Sequence, residues 1–390
     1  MILKNKLEVI NYSEATLIFL FLYLGLTFFS VAISNICLGI SCATFLTGLI
    51  LKQIGFKEFN IKLYLAIASP FLLTVISVLN SASYSAGFGY LNIRLPILIA
   101  PLILLCIKIE RPTLKKAFKI LLVAAIIASI VTFYNALKYY NEDILFQTDF
   151  TYFITIIHHP YFGVYLLLVI LALFEFNIIK KIYFMIFVVI ILSVAISFTT
   201  SRIVYIMYFL VACIYSYSKL PTKKFKYSII IIGVIVSLLI MNNKSIFNKF
   251  TSSFSYNDSP RLKLWSNAFE AVEESERYAF GIGLGDFYKD KKDVYFGEYY
   301  GNKTVGAYGY NPHSQLVEFY LTNGVFGLAV IMLALIFYLF RLKNQNIFAL
   351  STFTIVFLFS LFECIFNRQY GVQLYSVVIP IIISRNFKRI

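Results

Sequence analysis

Long apolar runs follow one another along most of the chain, and they leave few folds open. They lie near 15–33, 35–51, 63–80, 93–108, 117–137, 159–176, 181–198, 202–218, 226–241, 314–340, 347–365 and 369–384. A helix crosses a bilayer with about 20 apolar residues, and such a run must be helical there because lipid offers the backbone no hydrogen-bond partner. Of the 390 residues 60% are hydrophobic and 14% charged, and the mean hydropathy is +0.80. A water-soluble fold of that composition would expose large apolar patches. The expected fold is an all-α polytopic membrane protein of about 12 transmembrane helices, with residues 1–390 forming a single membrane domain. The first run lacks a small-residue cleavage pattern and reads as a retained span.

The basic residues set the expected orientation. With the N-terminus inside and the sides alternating, inside segments carry 21 Lys and Arg, whereas the short outside segments carry 4: Arg94, Lys138, Arg202 and Arg368. That bias places both termini in the cytoplasm. It accounts for most of the net charge of +15 and makes the positive balance a topology signal facing anionic lipid, not a nucleic-acid surface. The large loop at 242–312, between the ninth and tenth spans, then lies outside. It holds nine basic and nine acidic residues, the pattern of a folded water-facing segment, and a connection so long is usually functional. The five cysteines fall in apolar runs or at their ends, without metal-ligand or disulfide spacing.

Polar groups at the outer ends of the spans carry the candidate chemistry. Arg202 opens a span after Thr199-Thr200-Ser201, and Arg94 opens another before Pro96. An arginine at a helix end can snorkel. Here both oppose the orientation rule, and a site for an anionic group gives them a reason. Within the loop, Pro260 starts a helical pattern near 260–277, with Leu262, Trp265, Phe269 and Val272 forming a stripe suited to the membrane surface. Gly281-Ile282-Gly283-Leu284-Gly285 follows a helix instead of joining a strand to one, so it reads as a tight turn and not as a nucleotide loop. His158 and His159 precede Pro160 at the start of the sixth span. His313 stands where the tenth begins, with Glu318 shortly after it, and two ionisable groups at one helix start suggest acid–base chemistry at the water boundary.

These motifs together resemble the O-antigen ligase family. His313-Ser314, nine residues, Gly324, two residues and Gly327 follow its His-[Asn/Ser/Gln]-x9-Gly-x2-[Gly/Thr/Tyr] pattern. Ser201-Arg202, the Arg-Leu-x-x-Trp run of Arg261 to Trp265, the glycines at 281–285 and His159-Pro160-Tyr161 extend the likeness over about 159–330. The resemblance implies a membrane glycosyltransferase of the bacterial inner membrane with its active site facing the periplasm. Such an enzyme moves a glycan from undecaprenyl-pyrophosphate to lipid A-core, as ligases do, or to a second lipid-linked glycan, as O-antigen or capsular polysaccharide polymerases do.

In that chemistry the leaving diphosphate gains negative charge, which guanidinium groups suit. Arg202 and Arg261 are the expected clamp, with Arg94 in reserve. His313 is the expected base for the acceptor hydroxyl, and Glu318 orients it or holds the acceptor. His158, His159 and Trp265 are acceptor-side or structural candidates. Direct attack inverts the anomeric centre. No Asp-x-Asp pair occurs in the chain, so no metal or other cofactor is expected and the arginines supply the electrostatic stabilisation. Two readings of other classes compete. A flippase for lipid-linked oligosaccharide would show repeats and midplane polar groups and would tolerate His313→Ala. A non-catalytic scaffold would tolerate Arg202→Ala as well.

Overall fold

The computed structural model describes residues 10–57, 59–138, 154–219, 260–289, 311–343 and 345–384. Within them the chain is helical, without strands. In chain order the helices are α1 (Tyr12–Leu26), α2 (Val31–Ile50), α3 (Ile61–Leu79), α4 (Tyr84–Arg94), α5 (Pro96–Cys106), α6 (Arg111–Lys138), α7 (His159–Glu175), α8 (Ile182–Ser197) and α9 (Arg202–Lys219). After them come α10 (Pro260–Glu274), α11 (Leu284–Lys289), α12 (Gln315–Leu342), α13 (Ile347–Phe362) and α14 (Gln369–Ile383), with a 3-10 turn at Ile365–Asn367 before α14. Each apolar run named above lies on a helix except 226–241, which falls outside the described residues, as do 242–259 and 290–310 of the large loop. Among the described residues, five helical segments are long and apolar enough to cross a membrane: α2, α3, the α4–α5 run, α6 and α12. The remaining apolar helices are shorter.

Local chemistry starts many of these helices. Asn11, Ser30, Asn60, Ser314 and Asn346 each cap a helix by accepting a backbone N–H with the side chain. Helices α7 and α14 are buried on nearly every side, so they form the centre. Helix α7 packs against α6, α8, α9 and α13; α14 packs against α5, α1 and α13. Peripheral α2 and α8 instead leave Ile33, Ile36, Tyr183 and Phe187 exposed.

The bundle has two chemically different ends. At one, Lys116 pairs with Glu14 at 2.6 Å, and buried Glu175 takes Asn346 at 3.0 Å and Arg111 at 3.5 Å. His158, Arg202, Arg261 and His313 gather at the other end, where α7, α9, α10, α12 and α14 begin.

One expectation is corrected here. The helix carrying Arg94 starts at Tyr84, about three turns before residue 93. Arg94 therefore closes α4 and does not open a span; Pro96, at the first position of α5, breaks the run there. In α10 the buried side chains are Leu264, Ala268, Ala271 and Val272, packed with Leu321 and Phe287. Of the expected surface stripe only Val272 is in that face, so α10 turns its small-residue side onto α12.

Candidate active site

His313 sits in the last turn of chain before α12, whose first turn is capped by the Ser314 hydroxyl. Its φ is +47°, a left-handed conformation that costs a non-glycine residue energy and persists only when its surroundings enforce it. Two contacts enforce it. The His313 N–H donates to Asn311 Oδ1 at 3.0 Å, and the Trp265 indole Nε1–H donates to the Pro312 carbonyl at 2.8 Å. The imidazole Nδ1 lies 3.3 Å from Glu363 Oε2. A carboxylate only accepts, so Nδ1 donates; in the neutral imidazole this leaves the lone pair on Nε2, the tautomer a general base needs.

Glu363 follows the last residue of α13 and is buried. Its other oxygen lies 3.5 Å from Arg261 Nη2, and the same guanidinium stands over the Phe362 ring at 5.8 Å. Burial pushes the Glu363 carboxyl up, but the hydrogen bond to His313, its charge when protonated and the charge of Arg261 outweigh it, so its pKa falls below the ordinary glutamate value. Arg261 and Trp265 are four residues apart on α10 and share a face. That spacing lets one helix hold Glu363 with the guanidinium and the backbone before His313 with the indole. Sequence reasoning missed Glu363. The signal was available: an acid at the end of an otherwise apolar run, as Glu318 is.

Four helix starts face this cluster with basic residues. His158 and His159 begin α7, Arg202 begins α9, Arg261 lies in the first turn of α10, and Arg368 precedes α14; none of these helices has an acid in its first turn. A helix N-terminus is already the positive end of its dipole, so cations there are unfavourable unless an anion is present. Arg202 is within electrostatic reach of Arg261, and the two charges repel. The residue two before it, Thr200, has φ +46°. The His158 and His159 rings stack at 5.0 Å, and His158 lies 5.7 Å from the Tyr161 ring. Burial, with help from the Arg368 and His159 charges, pushes the His158 pKa down to about 3, so it is neutral near pH 7.

Arg94 and Glu318 are not part of that cluster. Arg94 Nη2 bonds Glu318 Oε1 at 2.5 Å and Asn367 Oδ1 at 2.6 Å, Nη1 bonds Thr74 Oγ1 at 2.9 Å, and Nε bonds the Phe366 carbonyl at 3.1 Å. The second Glu318 oxygen accepts from Gln315 at 3.2 Å and Asn367 at 2.9 Å. Both side chains are at most 2% exposed. The expectation that Arg94 binds pyrophosphate is corrected by this enclosure, because its donors are taken by protein. Glu318 is likewise turned to Arg94, and the carboxylate beside His313 is Glu363. What the enclosed pair holds is the 3-10 turn, since Gln315 also accepts the Phe366 N–H at 3.0 Å. That turn begins two residues after Glu363 and leads into Arg368.

The glycines have a related task. Gly324 breaks α12 with φ +61° and ψ −156°, and a side chain there would collide with the Tyr278 carbonyl. The loop fills the break: Val325 N–H donates to Tyr278 O at 2.9 Å, Phe326 N–H to Ala279 O at 3.1 Å, and Ile282 N–H to Leu321 O at 2.9 Å. Gly281, at φ +69°, has no room for a Cβ against the Asn323 backbone N, 2.5 Å away. Beyond it, Leu284 N–H donates to Ser77 Oγ and Gly285 N–H to Ser81 Oγ, each at 2.8 Å. Asp286 accepts from the Ala82 and Ser83 amides at 2.9 and 2.8 Å. The expected tight turn is therefore a seam between the loop, α3 and the broken helix.

Comparison with known families uses the same region. Residues 160–332, just under half of the chain, match the family described as O-Antigen ligase. The match assigns this stretch to the O-antigen ligase family. The assignment is the one the motifs gave, and it supports an O-antigen ligase- or polymerase-type function acting on lipid-linked glycan in a bacterial membrane. The O-antigen ligase stretch contains Arg202, Arg261, Trp265, His313, Glu318 and Gly324; Arg94, His158, His159, Glu363 and Arg368 lie outside it. Among curated proteins, none matches the chain.

Proposed function

We propose that the protein transfers a glycan from undecaprenyl-pyrophosphate to an acceptor at the periplasmic face of the inner membrane, with lipid A-core as the acceptor. The observation that carries this reading is the His313–Glu363 pair at 3.3 Å, surrounded by helix starts that bear Arg202, Arg261 and Arg368. Glu363 keeps Nδ1 of His313 protonated, and Nε2 takes the proton of the acceptor hydroxyl as its oxygen attacks the anomeric carbon. The bond to the carrier phosphate breaks on the opposite side of that carbon, so the configuration inverts. Arg202 and Arg261 bind the departing diphosphate, whose charge grows as the bond breaks, and no metal is assigned to this step. Arg94 and Glu318 are positioning residues that fix the turn next to Glu363. Orientation follows the basic residues: the end with Lys116 and Arg111 faces the cytoplasm and the His313 end faces the periplasm.

The test is deletion of the gene, followed by lipopolysaccharide electrophoresis and complementation. The expected result is loss of all capped core, restored by the native gene and not by His313→Ala. Core carrying a single repeat unit would make the protein a polymerase. An unchanged ladder with lost capsule would overturn both acceptors, and rescue by His313→Ala would favour a flippase.

A further inference from the structure

Loop tips that face water usually bury their aromatic residues or lack them. The tip between α10 and α11 does neither. Tyr278 and Phe280 are 48% and 55% exposed, and Phe280 lies 5.7 Å from the Phe326 ring of α12, itself 42% exposed. The tip is held in place by backbone: Tyr278 and Ala279 accept the N–H groups of Val325 and Phe326, and Asn80 donates to the Phe280 carbonyl at 3.3 Å.

Two apolar stripes lead up to this point. On α3, Leu72, Ile76 and Leu79 are exposed at spacings of four and three; on α12, Val325, Met332 and Ile336 are exposed at spacings of seven and four. These helices pack against each other, and both are long and apolar enough to cross a membrane, so their exposed stripes are surface that a bilayer would cover. Phe280 and Tyr278 cap that surface where Asn80 ends α3 and Gly324 breaks α12. Exposed aromatic rings continuing a lipid-facing belt fit the boundary between acyl chains and headgroups. Arg277, half exposed beside them, suits anionic headgroups.

We propose that Tyr278 and Phe280 insert into the membrane leaflet at the His313 end, so that the large loop is moored to lipid at this tip and not along α10. The proposal concerns the loop's contact with the bilayer and does not depend on the glycan-transfer reading.

The experiment uses Phe280→Trp in the full chain, reconstituted in vesicles of phosphatidylethanolamine and phosphatidylglycerol. The emission it adds over the native protein, whose one tryptophan is Trp265, belongs to position 280. Lipids brominated near the carbonyl end of the acyl chain should remove roughly half of that added emission, and those brominated near the methyl end much less. Aqueous iodide should have little effect. Phe326→Trp, on the helix itself, serves as the depth reference. Quenching of the Phe326→Trp indole by bromine with none at position 280, or iodide quenching at position 280, would overturn the proposal.

Discussion

The protein buries two carboxylates close to one another in the fold, and they do opposite work. Glu318 is sealed against Arg94 with every nearby donor supplied by protein. Glu363 is equally hidden, yet its partners Arg261 and His313 are 34% and 30% exposed in their side chains. An ion pair closed on all sides fixes backbone, while a pair whose cations reach the surface can meet a ligand. The difference lies not in the acids but in what their partners have left to offer.

The two pairs should separate most widely under His313→Ala. Transfer of glycan from a lipid-linked donor in vesicles should fall by about 10²–10⁴-fold, with a smaller loss of melting temperature than Arg94→Met causes; a loss as large would put His313 in the same class as Arg94. The enclosed pair should show the converse. Arg94→Met or Glu318→Leu alone leaves a buried charge uncompensated and should cost about 3–5 kcal/mol of stability, whereas the double variant should recover much of it in denaturant unfolding. Arg202→Lys comes next, with a loss of about tenfold or more in transfer, the worth of a charge-assisted hydrogen bond that an ammonium cannot place. Full activity in that variant would remove Arg202 from the diphosphate clamp.

Trp265→Phe removes only the bond to Pro312, and a loss of about 1 kcal/mol, roughly fivefold in rate, is expected. The effect at His158 depends on pH. Its folded pKa of about 3 lies below the unfolded value near 6.5, so the unfolded chain binds the proton better and stability declines as pH falls through that window. His158→Gln should flatten the decline in melting temperature between about pH 6 and about pH 4; a slope equal to that of the native protein would contradict the burial argument.

The comparison also explains what was legible beforehand. His313, Arg202, Arg261 and Trp265 stood out because polar groups are scarce in this chain and their spacings follow helical geometry, and the structure brings Arg261, Trp265 and His313 into one cluster. Arg94 was misplaced because Tyr84–Tyr90 is too polar to register as the start of an apolar run although it is helical. Glu363 escaped because it terminates a run, and no local pattern says that residue 363 meets residue 313. The buried face of α10 does not show as a hydropathy stripe. Its contact with α12 is made through Ala268 and Ala271, whose small size permits close approach, whereas a hydropathy stripe favours bulky Trp265 and Phe269.

Trp265 and Asp286 have a consequence for how such a chain can diversify. One clasps the residue just before His313, and the other sutures α11 to the amides ahead of α4. The chain is thus anchored just before and just after 290–310. The length and sequence of that stretch can therefore change over generations while the His313 imidazole stays in register.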